Sequence, residues 1–263
     1  MAAGVIAVAI DSDVLVIGGG IAGISTALSA ARAGADVRLV SEAETTLHHA
    51  SGLLDVLGYL PNGDGDGPVV DPFDAIADLP ETHPYVIVGE GSLRDGLAMV
   101  DDVLGAAYQG GHTDANALVP THGGAIKPTA RYPEHTAPGL ARDDRDAVLV
   151  GFESLVDFDA AHAAAHLRSA GVPFDVRGVT VQFPGDLRAD AAMTRYANSL
   201  AANDAVACEG RERPARAALA ERVAPHLDDA ERVGFPAVLG DDNPQTVRED
   251  LSERLGTAVF EVP

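Results

Sequence analysis

The chain has 263 residues, enough for one large or two modest domains with a sizeable core. Forty acidic residues against eighteen basic ones give a formal charge of -22, and only Lys127 among the basic residues is a lysine. Such a surface repels nucleic acid and anionic lipid, and the 46% hydrophobic content excludes an acidic disordered chain. The charge instead reads as a surface that stays hydrated in concentrated salt, so a halophilic source is expected.

Cys208 is the only cysteine, which leaves no disulfide framework and no cysteine-built zinc or iron–sulfur site. The first ten residues lack a basic n-region and do not read as a signal peptide. No apolar run approaches 18 residues, so no spanning helix is expected and the compartment reads as cytoplasmic.

Val14 to Ile17 is short, apolar and rich in β-branched residues, the pattern of a central strand. Gly18, Gly20 and Gly23 follow with G-x-G-x-x-G spacing. The first allows a tight turn, the second lets a pyrophosphate approach the backbone, and the third lets a helix pack close to the strand. The helix starts at Ile21, offers free N–H groups and its positive dipole end, carries a stripe at Ile24, Leu28 and Ala31, and stops at Gly34. A second strand from Val37 completes a βαβ unit. The cofactor-binding candidates are the main chain of Gly18, Gly19, Gly20, Ile21, Ala22 and Gly23, with Ser41, Glu42, Ser51 and Gly52. In dinucleotide sites an acid at the tip of the second strand holds the ribose. Here Ser41 stands at that tip with Glu42 one residue later, an arrangement that suits a mononucleotide unless a register shift brings Glu42 in.

Ala50 to Val56 has small residues able to let backbone approach a flavin ring or phosphate, or to turn into a helix. His48 and His49 precede it. The Asp64-Gly-Asp66-Gly segment lacks the later ligands of a calcium loop and reads as an acidic turn. Short and long helices are expected over 73–79 and 92–108, the second with an apolar face at Leu93, Leu97, Val100 and Leu104 and ended by Gly110-Gly111. A hairpin is expected around His122-Gly123-Gly124. Lys127, Thr129 and Arg131 form the densest basic patch, suited to a phosphate, a partner's carboxylate or a local ion pair. His49, His122 and Lys127 are general-base candidates by residue type alone, so the catalytic residues are unassigned.

A boundary is placed near residue 145, giving a flavin- or dinucleotide-binding domain over 1–145 and a second α/β domain over 146–263. In the second, strands are expected at 147–152, 174–183, 235–239 and 257–262. Helices are expected at 159–170, 189–202, 212–226 and 244–255. The parity of apolar residues changes at Gly178, which predicts a bulge. His162 and His166 lie four apart on a helix, a spacing that can bind a metal; with no third ligand at a fixed offset they read as a surface pair, and no metal is assigned. The fold class is α/β, a Rossmann-like flavin-binding βαβ domain with a smaller second α/β domain.

Several segments carry a family resemblance. They are Gly18 to Gly23, Thr46-Leu-His-His-Ala-Ser-Gly52-Leu-Leu-Asp55, His83-Pro84-Tyr85, Val150 to Phe158, Leu167-Arg168, Gly234-Phe235 and Asp241-Asp242. The chain resembles the B subunits of anaerobic glycerol-3-phosphate dehydrogenase, in a haloarchaeal version. The resemblance implies an FMN-using flavoprotein (FAD being the alternative). It also implies an FAD-containing A subunit and an iron–sulfur C subunit that anchors the pair at the inner face of the membrane. The complex would oxidise sn-glycerol 3-phosphate to dihydroxyacetone phosphate and feed the quinone pool, with hydride abstraction in the A subunit and electron relay here. The family further implies a C-terminal portion beyond Phe260 to Pro263 that returns to the nucleotide domain, without which the sheet would expose apolar edges. Two other readings are a non-catalytic assembly subunit of the same complex and a soluble NAD(P)- or FAD-dependent oxidoreductase. Ser41 argues against the NAD reading.

Overall fold

The computed structural model describes residues 11–42, 45, 47, 50–61, 67–185, 187, 192–208, 210–240 and 243–263. His48, His49, Asp64, Asp66, Asp241 and Asp242 lie outside them. The chain divides into two compact units, Met1–Gly52 and Leu53–Pro263, so residue 145 falls within the second.

The first unit holds strand β1 (Val14–Ile17), helix α1 (Ile21–Arg32) and strand β2 (Val37–Val40). The strands pair in parallel, Val14 opposite Val37 through Ile17 opposite Val40. A parallel pair needs a crossover, and α1 supplies it. The helix ends at Ala33, and Gly34 follows at φ +90°, a left-handed turn that glycine adopts without Cβ strain. Ile24 and Leu28 are half-buried as expected, whereas Ala31 is exposed. Val16 is buried, while Leu15 and Ile17, on the opposite face of β1, are 58% and 81% exposed.

The second unit opens with a small cluster of Leu57, Phe73, Ile76 and Leu79, against which Tyr85, Leu93 and Leu97 pack. These last three come from helices α2 (Pro84–Val88) and α3 (Glu90–Leu104). His83 caps α2, its Nδ1 accepting the Tyr85 N–H at 3.1 Å, and Pro84 occupies the first turn where no amide is needed. The 73–79 segment forms a single 3-10 turn, Asp74–Asp78. Helix α3 stops at Gly105, φ +51°, earlier than Gly110-Gly111, because the chain then enters strand β3 (Tyr108–Gln109).

β3 pairs with β6 (Tyr132–Pro133), and β4 (Ala117–Pro120) pairs with β5 (Ile126–Thr129) in the expected hairpin. Gly124 at φ +77° turns it. A β-carbon there would stand 2.5 Å from His166 Cβ and 2.6 Å from the Ala163 carbonyl oxygen, so this turn is docked directly on the helix that carries them.

The main core surrounds a four-stranded parallel sheet of order β12-β11-β7-β8. Its strands are β7 (Ala147–Phe152), β8 (Val176–Val181), β11 (Arg232–Phe235) and β12 (Ala258–Glu261). Every residue of β7 and β11 is buried, as parallel strands covered on both faces require. Helix α4 (Ala160–Ser169) packs on β7 and β8, and helix α7 (Pro244–Leu255) on β12. Between β8 and β11 lie α5 (Met193–Ala202), strands β9 (Ala205–Cys208) and β10 (Arg211–Pro214), and α6 (Ala215–Val223).

Three further expectations are corrected. No bulge interrupts β8: its register with β7 runs unbroken from Ala147–Val176 to Phe152–Val181. Gly178 is instead where α4 passes closest, since a β-carbon would lie 2.1 Å from the Ala160 carbonyl oxygen. The strand expected at 235–239 ends at Phe235, because Pro236 has no amide for the ladder. The helix expected from 212 starts at Ala215, because Arg211 to Pro214 pair back onto Ala205 to Cys208 in an antiparallel hairpin.

Arg232 is fully buried at the start of β11. Its guanidinium donates to the carbonyls of Pro138, Leu140, Asp143 and Arg145 and stacks 4.4 Å over the Phe174 ring. Burial pulls its pKa down, opposed chiefly by the charge of Asp143 at 3.7 Å. Four carbonyls gain a charged donor, so the segment 138–145 is fastened to the sheet.

Candidate active site at the glycine turn

The first unit presents the glycine turn at the carboxyl end of β1. Gly18 adopts φ +109°, which an L side chain rarely tolerates, and donates its N–H to the Val40 carbonyl at 2.8 Å. This bond holds the turn to the end of β2. Gly23 packs so closely on the turn that a β-carbon would lie 2.0 Å from the Gly18 carbonyl oxygen and 3.4 Å from Val16 Cγ1. Gly19 is closed in by Thr45, whose methyl would stand 2.7 Å from its β-carbon, and by the Ser41 side chain at 3.4 Å. Around Gly20 nothing lies within 4 Å of a β-carbon. Two glycines thus serve packing, one serves the turn, and Gly20 borders open space.

Helix α1 begins at that open position. Gly20 caps it with φ -72° and ψ 174°, has no side chain to satisfy the first amides, and no acidic residue stands in the first turn. The free N–H groups and the positive helix end suit an anion. A cradle that is open at Gly20 and uncapped at Ile21, Ala22 and Gly23 fits the phosphate of a flavin nucleotide.

The turn is braced from the far end of the unit, where the Asp36 N–H donates to Asp13 Oδ2 at 2.9 Å and the Asp13 N–H to the Asp36 carbonyl at 2.9 Å. Ser41 directly follows β2 and lies beside Gly19; Glu42 comes next and is exposed. Ser51 is exposed, and Gly52 adopts φ +74°. Thr45 went unrecognised from the sequence. A threonine just after the second strand was the available signal, but its contact with Gly19 depends on the fold of the loop.

The other candidates lie in the second unit. Lys127 Nζ pairs with Asp55 Oδ2 at 2.7 Å. Arg131 is buried and grips Asp101 with two bonds, Nε to Oδ1 at 2.7 Å and Nη2 to Oδ2 at 2.9 Å. Thr129 is also buried, its hydroxyl facing the Leu54 and Arg131 carbonyls at 3.2 and 3.3 Å. The basic patch therefore resolves into ion pairs, Lys127 tying β5 to the Leu54 segment and Arg131 tying the following turn to α3. His122 is exposed in the β4–β5 turn, with its N–H on the Pro263 carbonyl.

Comparison with known proteins gives a match to the FAD binding domain family over residues 13–263. The chain belongs to the FAD-binding domain family. Members of that family bind a flavin, and the glycine turn lies at the start of the matched span. The chain is similar to the probable B subunit of the anaerobic glycerol-3-phosphate dehydrogenase of Halobacterium salinarum, with 67% identity over 97% of this chain and 59% of that protein. It is 28% identical to the B subunit of the anaerobic glycerol-3-phosphate dehydrogenase of Pectobacterium carotovorum, over 95% of this chain and 59% of that one. The corresponding protein of Vibrio cholerae is 46% identical over 36% of this chain and 22% of its own length. The chain thus spans about three fifths of the length of the first two relatives. No solved structure matches. Among the described residues, no helix is long and apolar enough to cross a membrane.

Proposed function

We propose that this FAD-binding family member acts as the flavin-carrying B part of an anaerobic, quinone-linked sn-glycerol-3-phosphate dehydrogenase, relaying electrons as glycerol 3-phosphate becomes dihydroxyacetone phosphate. The observation that carries this reading is the 67% identity, along nearly the whole chain, to a relative named as the B component of such an enzyme. The open, uncapped cradle at Gly20 supports it, because nothing lies within 4 Å of a β-carbon built there and no side chain caps the first amides of α1.

A bound flavin supplies reversible one- or two-electron transfer; the protein's part is to hold and orient it. Main-chain amides of Gly18, Gly19, Gly20, Ile21, Ala22 and Gly23 hold the phosphate. Ser41 and Glu42 meet the sugar-like portion, and Ser51 and Gly52 give small contacts nearer the ring. Ser41 at the ribose-binding position favours FMN, and FAD would require the Glu42 carboxylate. In the complex, an FAD-containing A subunit carries out hydride abstraction and an iron–sulfur C subunit links the pair to the membrane face.

The test is the visible spectrum of the protein purified in molar potassium chloride, followed by chromatography of the cofactor released on denaturation. FMN is expected, and FAD would move the sugar contact to Glu42. A colourless protein that still captures the A subunit would replace the relay with an assembly role. One that binds neither flavin nor A subunit would sink the proposal.

A further inference from the structure

Outside the glycine turn, α4 carries two histidines to which the proposed function gives no role. His162 and His166 are four residues apart, so their side chains project from one helix face. Both are exposed. Their ring centroids are 4.0 Å apart with the planes tilted by 54°. Spacing alone leaves two such rings free to splay into solvent; here they stand together.

The second observation concerns which nitrogen is available. His166 Nδ1 lies 2.9 Å from the Gly123 carbonyl oxygen, in the β4–β5 turn. A carbonyl only accepts, so Nδ1 carries the hydrogen and, in the neutral ring, Nε2 keeps the lone pair. A metal-binding imidazole ordinarily has its second nitrogen held in this way, by a backbone carbonyl or carboxylate that fixes ring and tautomer. The turn that supplies the carbonyl is not free to drift, because Gly124 is packed against His166 Cβ and the Ala163 carbonyl. The Asp159 side chain caps the start of α4 through the His162 N–H at 3.0 Å, which also fixes the backbone beneath the other ring.

We propose that His162 and His166 form a two-nitrogen chelating site for a divalent first-row transition metal. Paired imidazoles one helical turn apart suit Cu²⁺, Ni²⁺ and Zn²⁺ and are poor ligands for Mg²⁺ or Ca²⁺; the stability order places Cu²⁺ first. Among the described residues no group of three or more His, Cys, Asp or Glu is placed to hold a metal, so the pair leaves coordination positions to water or to a further donor. The bound metal would also lock His166 against Gly123, joining α4 to the β4–β5 turn.

The experiment is titration of the full chain with Cu²⁺ in chelator-free potassium chloride, read by visible absorption and by the nitrogen splitting in its electron paramagnetic resonance spectrum. One equivalent bound by two imidazole nitrogens is expected, unaffected by a large excess of Mg²⁺. His162→Ala and His166→Ala should each weaken it at least about tenfold, the size of loss seen even when a supporting hydrogen bond is removed. His112→Ala, at an exposed histidine elsewhere, should leave it unchanged. Independently of any variant, Zn²⁺ should protect His162 and His166 of the unmodified protein from diethyl pyrocarbonate, read peptide by peptide by mass spectrometry. Displacement by Mg²⁺, binding that survives both alanine substitutions, or absence of protection at these two rings would overturn the proposal.

Discussion

Gly23 faces the carbonyl oxygen of Gly18 so closely that a β-carbon on it would lie 2.0 Å away, whereas one on Gly20 would meet nothing within 4 Å. The two glycines therefore fail differently when substituted. Gly23→Ala forces the helix from its strand and should unfold or loosen the β1–α1–β2 unit. Gly20→Val should leave that unit intact and block only the approach of the phosphate. Hydrogen exchange of the Val14 to Val40 amides and flavin content, measured on both variants in molar potassium chloride, make the comparison. Retention of flavin by Gly20→Val would move the cofactor site away from this turn.

Arg131 and Lys127, neighbours in the basic patch, should also differ. Arg131 is buried and doubly bonded to Asp101, so Arg131→Ala strands a carboxylate and opens packing. A loss of about 2 kcal/mol is expected, below the range for breaking a fully buried pair because the Asp101 side chain is 32% exposed. The Lys127–Asp55 pair is partly exposed, and Lys127→Ala should cost under about 1 kcal/mol. Denaturant midpoints decide it; equal costs would show that burial is not what separates them.

These residues also show where the sequence was informative. The β1–α1–β2 unit was legible because its signals are local: a short apolar run, spaced glycines and a stop at Gly34. The bounds of β7 and α7 were legible for the same reason, as was α4 to within a residue at each end of the expected 159–170. The pairings were not. Asp101 meets Arg131 across 30 residues, and the chain carries 40 acids from which to choose. Gly178 showed a break in alternation, but the cause, the backbone of α4 lying against it, belongs to another element. Glu212 to Pro214 read as the start of a helix because arginine and glutamate favour one, whereas Arg211 to Pro214 pair with Ala205 to Cys208 instead.

The charge of -22 should make stability depend on salt. Self-repulsion acts over about 10 Å at 0.1 M salt and about 3 Å at 1 M. Leu15 and Ile17, largely exposed on one face of β1, add apolar surface whose burial salting-out ions favour. The thermal midpoint is expected to rise steadily from 0.1 M potassium chloride into the molar range, with self-association below it detected by light scattering. A midpoint independent of salt would mean that these charges are already neutralised by local pairing.

Asp143 gives a pH dependence with a defined sign. Its carboxylate accepts from Arg145 Nη2 at 2.6 Å and Nε at 3.0 Å, which lowers its pKa to about 2, aided by the nearby Arg232 charge. The unfolded chain would titrate this group near 3.9. Because the folded value is the lower one, the stabilisation is complete above about pH 4 and is lost as pH falls towards 2. Asp143→Asn removes it at all pH values, and a cost of roughly 1 kcal/mol above pH 5 is expected for a partly exposed charged hydrogen bond. Since forty acids titrate together, the readout is the difference between wild type and variant in denaturant midpoint at pH 6, 4 and 3 and constant salt. That difference should shrink on acidification; one that stays constant would remove the Asp143–Arg145 bond from the groups that set acid stability.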